Sequence, residues 1–215
     1  MTTTRLMRWS GPALLLAGVL ILAGGLLHPS AADPRAFARP AWLLAHAILI
    51  VSLFLAQPGF TGLYTRQAER AGALGLIGFV LITIGSMLTT AALTVDAFVF
   101  PALLASPGAA ALTDPAGPLL GGPLGLVLLG ATATFSLGAI MLGAATIRAR
   151  VFAAWPALLL AVGGPLLAAG DLLPAPLGPV GAVLLGLGCV WFGVQLFTHT
   201  PAAGVAPAVA PLRSS

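Results

Sequence analysis

The chain has 215 residues and a mass of 21.5 kDa; 59% of its residues are hydrophobic, 7% are charged, and its mean hydropathy is +1.08. A soluble domain carries about 25% charged residues, and a disordered chain needs high charge with low hydrophobicity, so both are excluded and an all-α polytopic membrane protein remains. The net charge of +4 rests on nine arginines with no lysine; they fall in pairs between apolar runs and form no basic face, which excludes nucleic acid as a partner.

A spanning helix needs about 20 apolar residues. Six runs supply candidate spans: 11–27, 41–64, 73–94, 119–147, 151–173 and 177–197. The first follows Arg5 and Arg8, a start that also fits a signal peptide cut after Ser30-Ala31-Ala32. Cleavage there would leave five helices and remove His28. The segment 12–17 recurs at 156–161, which chance explains in a chain this rich in Ala and Leu.

In the second run, Gln57 precedes Pro58, whose ring predicts a kink and leaves carbonyls in need of partners. Arg66, Glu69 and Arg70 are expected on a solvated loop before the third run. That run stays apolar to Leu104, about 48 Å as one helix, against a hydrocarbon core of about 30 Å. The spanning part is therefore expected to end near Thr94, with 96–104 at the interface and Pro101 breaking the helix. Arg148 and Arg150 separate the fourth and fifth runs. In the sixth, Cys189 is the only cysteine, so no internal disulfide can form and an inert packed thiol is expected. His199 follows as a wet residue, and the Pro/Ala-rich tail 201–215 reads as disordered.

Six spans place Arg5, Arg8, Arg66, Arg70, Arg148, Arg150 and Arg213 on one side and only Arg35 and Arg39 on the other. The positive-inside rule then predicts N-terminus in and C-terminus in, with residues 1–200 forming one bundle in a bacterial cytoplasmic membrane. Leucine burial does not drive association in lipid, whereas close packing over small residues does. Three glycine sets are expected to provide it: Gly72, Gly75 and Gly78 as a groove, Gly121 and Gly125 as a small-xxx-small pair, and Gly181, Gly186 and Gly188 thinning the last helix.

Ionisable groups inside a membrane are costly and mark candidate sites. His28, His46, Asp96 and Asp171 fall at the outer ends of four helices in this topology, with Trp42 expected in the outer aromatic belt. Each has a plainer role: His28 and Asp171 wet at the interface, Asp96 as a helix cap, His46 bonded to a backbone carbonyl. Thr83, Ser86, Thr90 and Thr94 share one helix face, with Thr89 on an adjoining one. Their hydroxyls either bond backbone and neighbouring helices or line a cavity.

Three chemistries fit the outer set, ranked in this order. The first is proton or small-ligand handling with His46 titrating against Asp96. The second is a divalent metal held by His and Asp, and the third is haem with His28 and His46 as axial ligands. No nucleotide-binding, hydrolase or metalloprotease motif occurs, so an enzyme is not expected. A non-catalytic subunit or scaffold, with the lipid bilayer and another membrane protein or a second copy as partners, is the alternative.

Gly62-Leu63-Tyr64, Arg66-Gln67-Ala68, residues 72–79, Asp96-Ala97-Phe98 with Pro101, and His28-Pro29 with Trp42 and His46 together form a pattern. It resembles uncharacterised small multi-pass membrane proteins of high-GC bacteria. The resemblance covers roughly residues 11–104. It implies a six-helix membrane protein and no activity.

Overall fold

The computed structural model describes residues 3–30, 33, 35–106, 117–174 and 176–198, the side chains of 3–7 and of Asp171 excepted. The expected cleavage junction at Ala31 and Ala32, His199 and the tail 201–215 lie outside the described residues. Every regular element among those described is helical. Four continuous helices are long and apolar enough to cross a membrane: Arg8–Leu27, Pro40–Leu104, Pro123–Ala149 and Leu177–Thr198.

The first helix, α1, is Thr3–Leu27 and runs unbroken through Pro12. Arg39, in an extended conformation, precedes Pro40 in the first turn of the helical stretch Pro40–Thr94. A proline fits there because the first helical N–H groups have no intrahelical partner to lose. Within this helix one residue is non-helical, Gly72, at φ 57°, ψ −152°. It divides the element into α2 (40–71) and α3 (73–94).

Pro58 keeps helical torsions, and the break in torsions falls at Gly72. Arg66, Glu69 and Arg70 ride on the last turns of α2 rather than on a loop, because residues 65–71 are mostly good helix formers. Gly72 is the first residue after that stretch that can take a backbone conformation almost closed to side chains.

Beyond Thr94 the helix does not stop. A π-helical turn, Val95–Val99, leads into a last α-helical piece, Phe100–Leu104. Pro101 sits in the first turn of that piece, where its missing N–H is tolerated, so it shapes the helix instead of breaking it. The remaining helices are α4 (Pro123–Ala149), α5 (Ala154–Ala168) and α6 (Leu177–Thr198). α5 is 15 residues long, about 22 Å, and Thr132 of α4 donates to the carbonyl of its last residue, Ala168, at 3.3 Å.

Each helix packs on its neighbours in sequence, and α1 packs on α6, so the six close into a ring. Glycine makes most of these seams. A Cβ on Gly18 or Gly193 would strike backbone across the α1–α6 seam, and one on Gly78, Gly85 or Gly138 would strike backbone between α3 and α4. Gly181 and Gly188 admit the α5 backbone while Gly186 meets Gly18 and Leu22 of α1, so α6 is thinned on both sides. Such approach favours dispersion over long stretches of backbone, which is what holds helices together in lipid. Leu14, Phe60, Leu63, Ile82, Leu142 and Phe192 fill the centre.

Two glycine expectations are corrected. Gly72 touches nothing within 4 Å of a would-be Cβ; its role is torsional, and only Gly75 and Gly78 face neighbouring atoms. Gly121 precedes α4 and Gly125 abuts the carbonyl of Leu120 in its own segment. They make no interhelical pair, a part that Gly138 and Gly143 play instead.

Candidate functional site

The end of the ring that carries the loop between α1 and α2 gathers most of the expected polar groups. Trp42 lies in the first turn of α2 and is 3% exposed. It is a core residue and not the lipid-belt residue expected from its position. Its ring packs on Phe37 at 4.3 Å, on His46 at 4.5 Å and on His28 at 5.1 Å between centroids. His28 and His46 are themselves 4.7 Å apart. The spacing of 42 and 46 by one helical turn stacks those two rings, and His28 arrives from the end of α1.

The hydrogen bonds place one hydrogen on each ring. Nδ1 of His46 is 2.8 Å from the Trp42 carbonyl, and Nδ1 of His28 is 2.9 Å from the Pro29 carbonyl. A carbonyl can only accept, so each Nδ1 carries a hydrogen. His46 is buried, at 1% exposure.

Trp42 also ties α2 to the end of α3. Its indole N–H donates to the backbone carbonyl of Asp96 at 2.7 Å. The chain leaves that carbonyl in need. In an α-helix it would accept from the N–H of Phe100, but in the π turn Phe100 donates to Val95. The next N–H along would be that of residue 101, a proline, which has none. The π turn and Pro101 together strip Asp96 of backbone donors, and Trp42 replaces them. Trp42→Phe keeps the ring stack and removes only this donor. Thermal unfolding in mild detergent is expected to show a loss of about 0.5–1.5 kcal/mol, the net worth of one hydrogen bond.

The loop covers the cluster. Asp33 accepts from the Arg35 backbone at 3.0 Å and from the Arg39 guanidinium at 2.8 Å, both in exposed surroundings. An exposed pair of this kind contributes little energy, but it fixes the turn that lays Phe37 on Trp42. Asp171 lies in the 3-10 turn Gly170–Leu172 after α5, and its side chain is outside the described set. The described geometry therefore unites His28, His46 and Asp96, the last through its backbone.

Neither metal nor haem is favoured by this arrangement. Among the described residues no three His, Cys, Asp or Glu groups converge as metal ligands. Two imidazoles in ring contact leave no room for a porphyrin between them.

The hydroxyl stripe on α3 divides. Ser86, Thr90 and Thr94 donate to the carbonyls four residues before them, at 2.7, 2.8 and 2.8 Å, a local bonding common to helical Ser and Thr. Ser86 and Thr90 also face a cavity between α2 and α3. Thr83 does not line it, and its hydroxyl is buried without a partner. At the other end of the ring a polar contact had no counterpart in the sequence reading: Gln67 of α2 donates to Thr146 of α4 at 2.8 Å, and Thr146 donates to the Leu142 carbonyl at 2.8 Å. Both side chains are buried. The signal was present, since Ala56, Phe60, Leu63, Gln67 and Ala71 fall at helical spacing on one buried face.

Comparison with known protein families, with curated proteins and with solved structures finds no match to this chain.

Proposed function

We propose that the protein spans the bacterial cytoplasmic membrane six times, N-in and C-in, and that its outer end handles a proton or a small polar ligand at the His28–His46 pair. The carrying observation is the ring contact of these two imidazoles beneath Trp42. The two rings touch at 4.7 Å, so a proton or ligand taken up by one acts on the other, and an imidazole can both donate and accept. The arginine asymmetry supports the orientation, with Arg66, Arg70, Arg148 and Arg150 at one end and Arg35 and Arg39 at the other.

Nitrogen-15 NMR of histidine-labelled protein in micelles tests the reading. His46→Gln is expected to displace the ring-nitrogen resonances of His28, through the ring contact at 4.7 Å, and to abolish proton uptake by proteoliposomes that carry the protein. A His28 spectrum that ignores His46→Gln, or proton uptake unchanged in that variant, would sink the proposal.

A second reading is a non-catalytic subunit or scaffold. The observation that favours it is the Trp155–Trp191 pair, 4.8 Å between centroids and 44% and 43% exposed on α5 and α6, a broad aromatic edge suited to another membrane protein or a second copy. A lone monomer after gentle extraction would count against it.

A further inference from the structure

Between α2 and α3 lies a cavity of about 350 Å³, walled by Leu53, Phe54, Gln57, Ser86, Met87 and Thr90 among others. Its rim carries Phe54 and Met87, which are 66% and 62% exposed. In a bundle surrounded by lipid, that rim opens sideways into the bilayer. Gln57 stands fifteen residues beyond Trp42 and nine before Arg66, about 22 Å and 13 Å along the helix. The cavity therefore lies well inside the hydrocarbon.

Its wall is apolar except at three side chains. Ser86 and Thr90 have already given their hydrogens to their own helix. The unspent donor is Gln57, whose Nε2 is buried without a hydrogen-bond partner. Buried polar groups are nearly always satisfied, so such a group calls for an explanation. The terminal amide torsion of glutamine is broad and two-fold, so a modest rotation turns these N–H bonds toward the cavity. An acceptor lies in the same turn. Pro58 has no N–H to return to the Phe54 carbonyl, so Phe54, which itself lines the cavity, keeps a carbonyl without its α-helical donor, and lipid offers it none.

We propose that the cavity binds an uncharged lipophile whose head group carries both a carbonyl and an N–H or O–H, such as a long-chain primary amide or a neutral carboxylic acid. The carbonyl accepts from Gln57, the N–H or O–H donates to Phe54, and the chain lies along Leu53 and Met87. Depth excludes a phospholipid of the surrounding bilayer as the source, because its ester carbonyls stay at the interface. A charged head is excluded by the cost of a charge in hydrocarbon. This site is distinct from the imidazole pair and does not depend on its role.

The test is binding of tritiated dodecanamide to the full chain in lipid nanodiscs, with methyl dodecanoate and dodecane as competitors. The amide is expected to bind about tenfold more tightly than the ester, which lacks the donor, and the ester more tightly than the alkane, about one net hydrogen bond apart at each step. Gln57→Leu removes an unmet donor and is expected to fold normally while weakening amide binding about tenfold. Met87→Trp, which fills the mouth, is expected to abolish binding, and His46→Ala to leave it unchanged. Equal competition by dodecane would reduce the cavity to a groove for any apolar chain and overturn the proposal. So would unaltered binding in Gln57→Leu, or no binding above that of empty nanodiscs.

Discussion

Gly72→Ala is expected to lower the stability of the protein by about 1–3 kcal/mol, the cost of forcing a side chain into a conformation essentially reserved for glycine. The site isolates the backbone effect. A Cβ at Gly72 meets no atom within 4 Å, while the residue holds φ 57°, ψ −152°. No packing is lost or gained, so the penalty is torsional. Gly130 supplies the control: a Cβ there also meets nothing within 4 Å, but the residue is in the interior of α4. Gly130→Ala is expected to stabilise by up to about 1 kcal/mol through helix propensity. Reversible unfolding in mixed micelles measures both. Equal effects at the two sites would show that the break between α2 and α3 does not need the glycine.

Gly18→Leu is expected to have the largest effect of any substitution considered, more than about 3 kcal/mol. Even the Cβ of alanine at this position would lie 2.6 Å from the Gly186 carbonyl and 2.7 Å from the Val190 nitrogen. Both are backbone atoms and cannot turn aside as a side chain would. Ordinary overpacking of a core costs about 1–3 kcal/mol because side chains yield; here α1 and α6 must separate. The seam cannot open alone, since Gly193 presses on Leu15 about one turn away. Loss of a disulfide engineered across α1 and α6, formed readily in the parent and not in the variant, would register the separation. Unchanged melting would show that the ring is not held shut there.

Much of this was legible in the sequence because the signals were local. Apolar run length located the helices, and Gly181, Gly186 and Gly188 marked α6 as thin, since three small residues within eight positions leave no other way to pack. The meeting of His28 and His46 at one end of the bundle was suggested by their places at the end of one apolar run and the start of the next. What escaped was set by partners distant in the chain. Trp42 at a helix start looks the same whether it faces lipid or core, and only Asp96, 54 residues later, decides it. That carbonyl needs a donor because a π turn and Pro101 coincide, and hydropathy does not register a change from i+4 to i+5 bonding. Gly72 was taken for packing because a glycine needed for its torsions and one needed for its size are the same letter. Gln67 was hidden among charged neighbours although its own helix face is apolar.

The seams of the ring are unequal in a way that bears on motion. Glycine brings backbone against backbone between α1 and α6, α3 and α4, and α5 and α6. Helices so closely meshed cannot slide or tilt without colliding. Among the described residues no glycine makes such a contact between α2 and α3. That pair is joined by the Gly72 break, by the parallel stack of Tyr64 on Phe79 at 4.8 Å and by the indole hydrogen bond of Trp42. Side chains carry the seam between α1 and α2 as well, where Gly24, Gly59 and Gly62 face Leu49, Leu14 and Ser10. The ring thus has two kinds of seam: backbone pressed on backbone, which leaves no slack, and side chain on side chain, where rotamers can give.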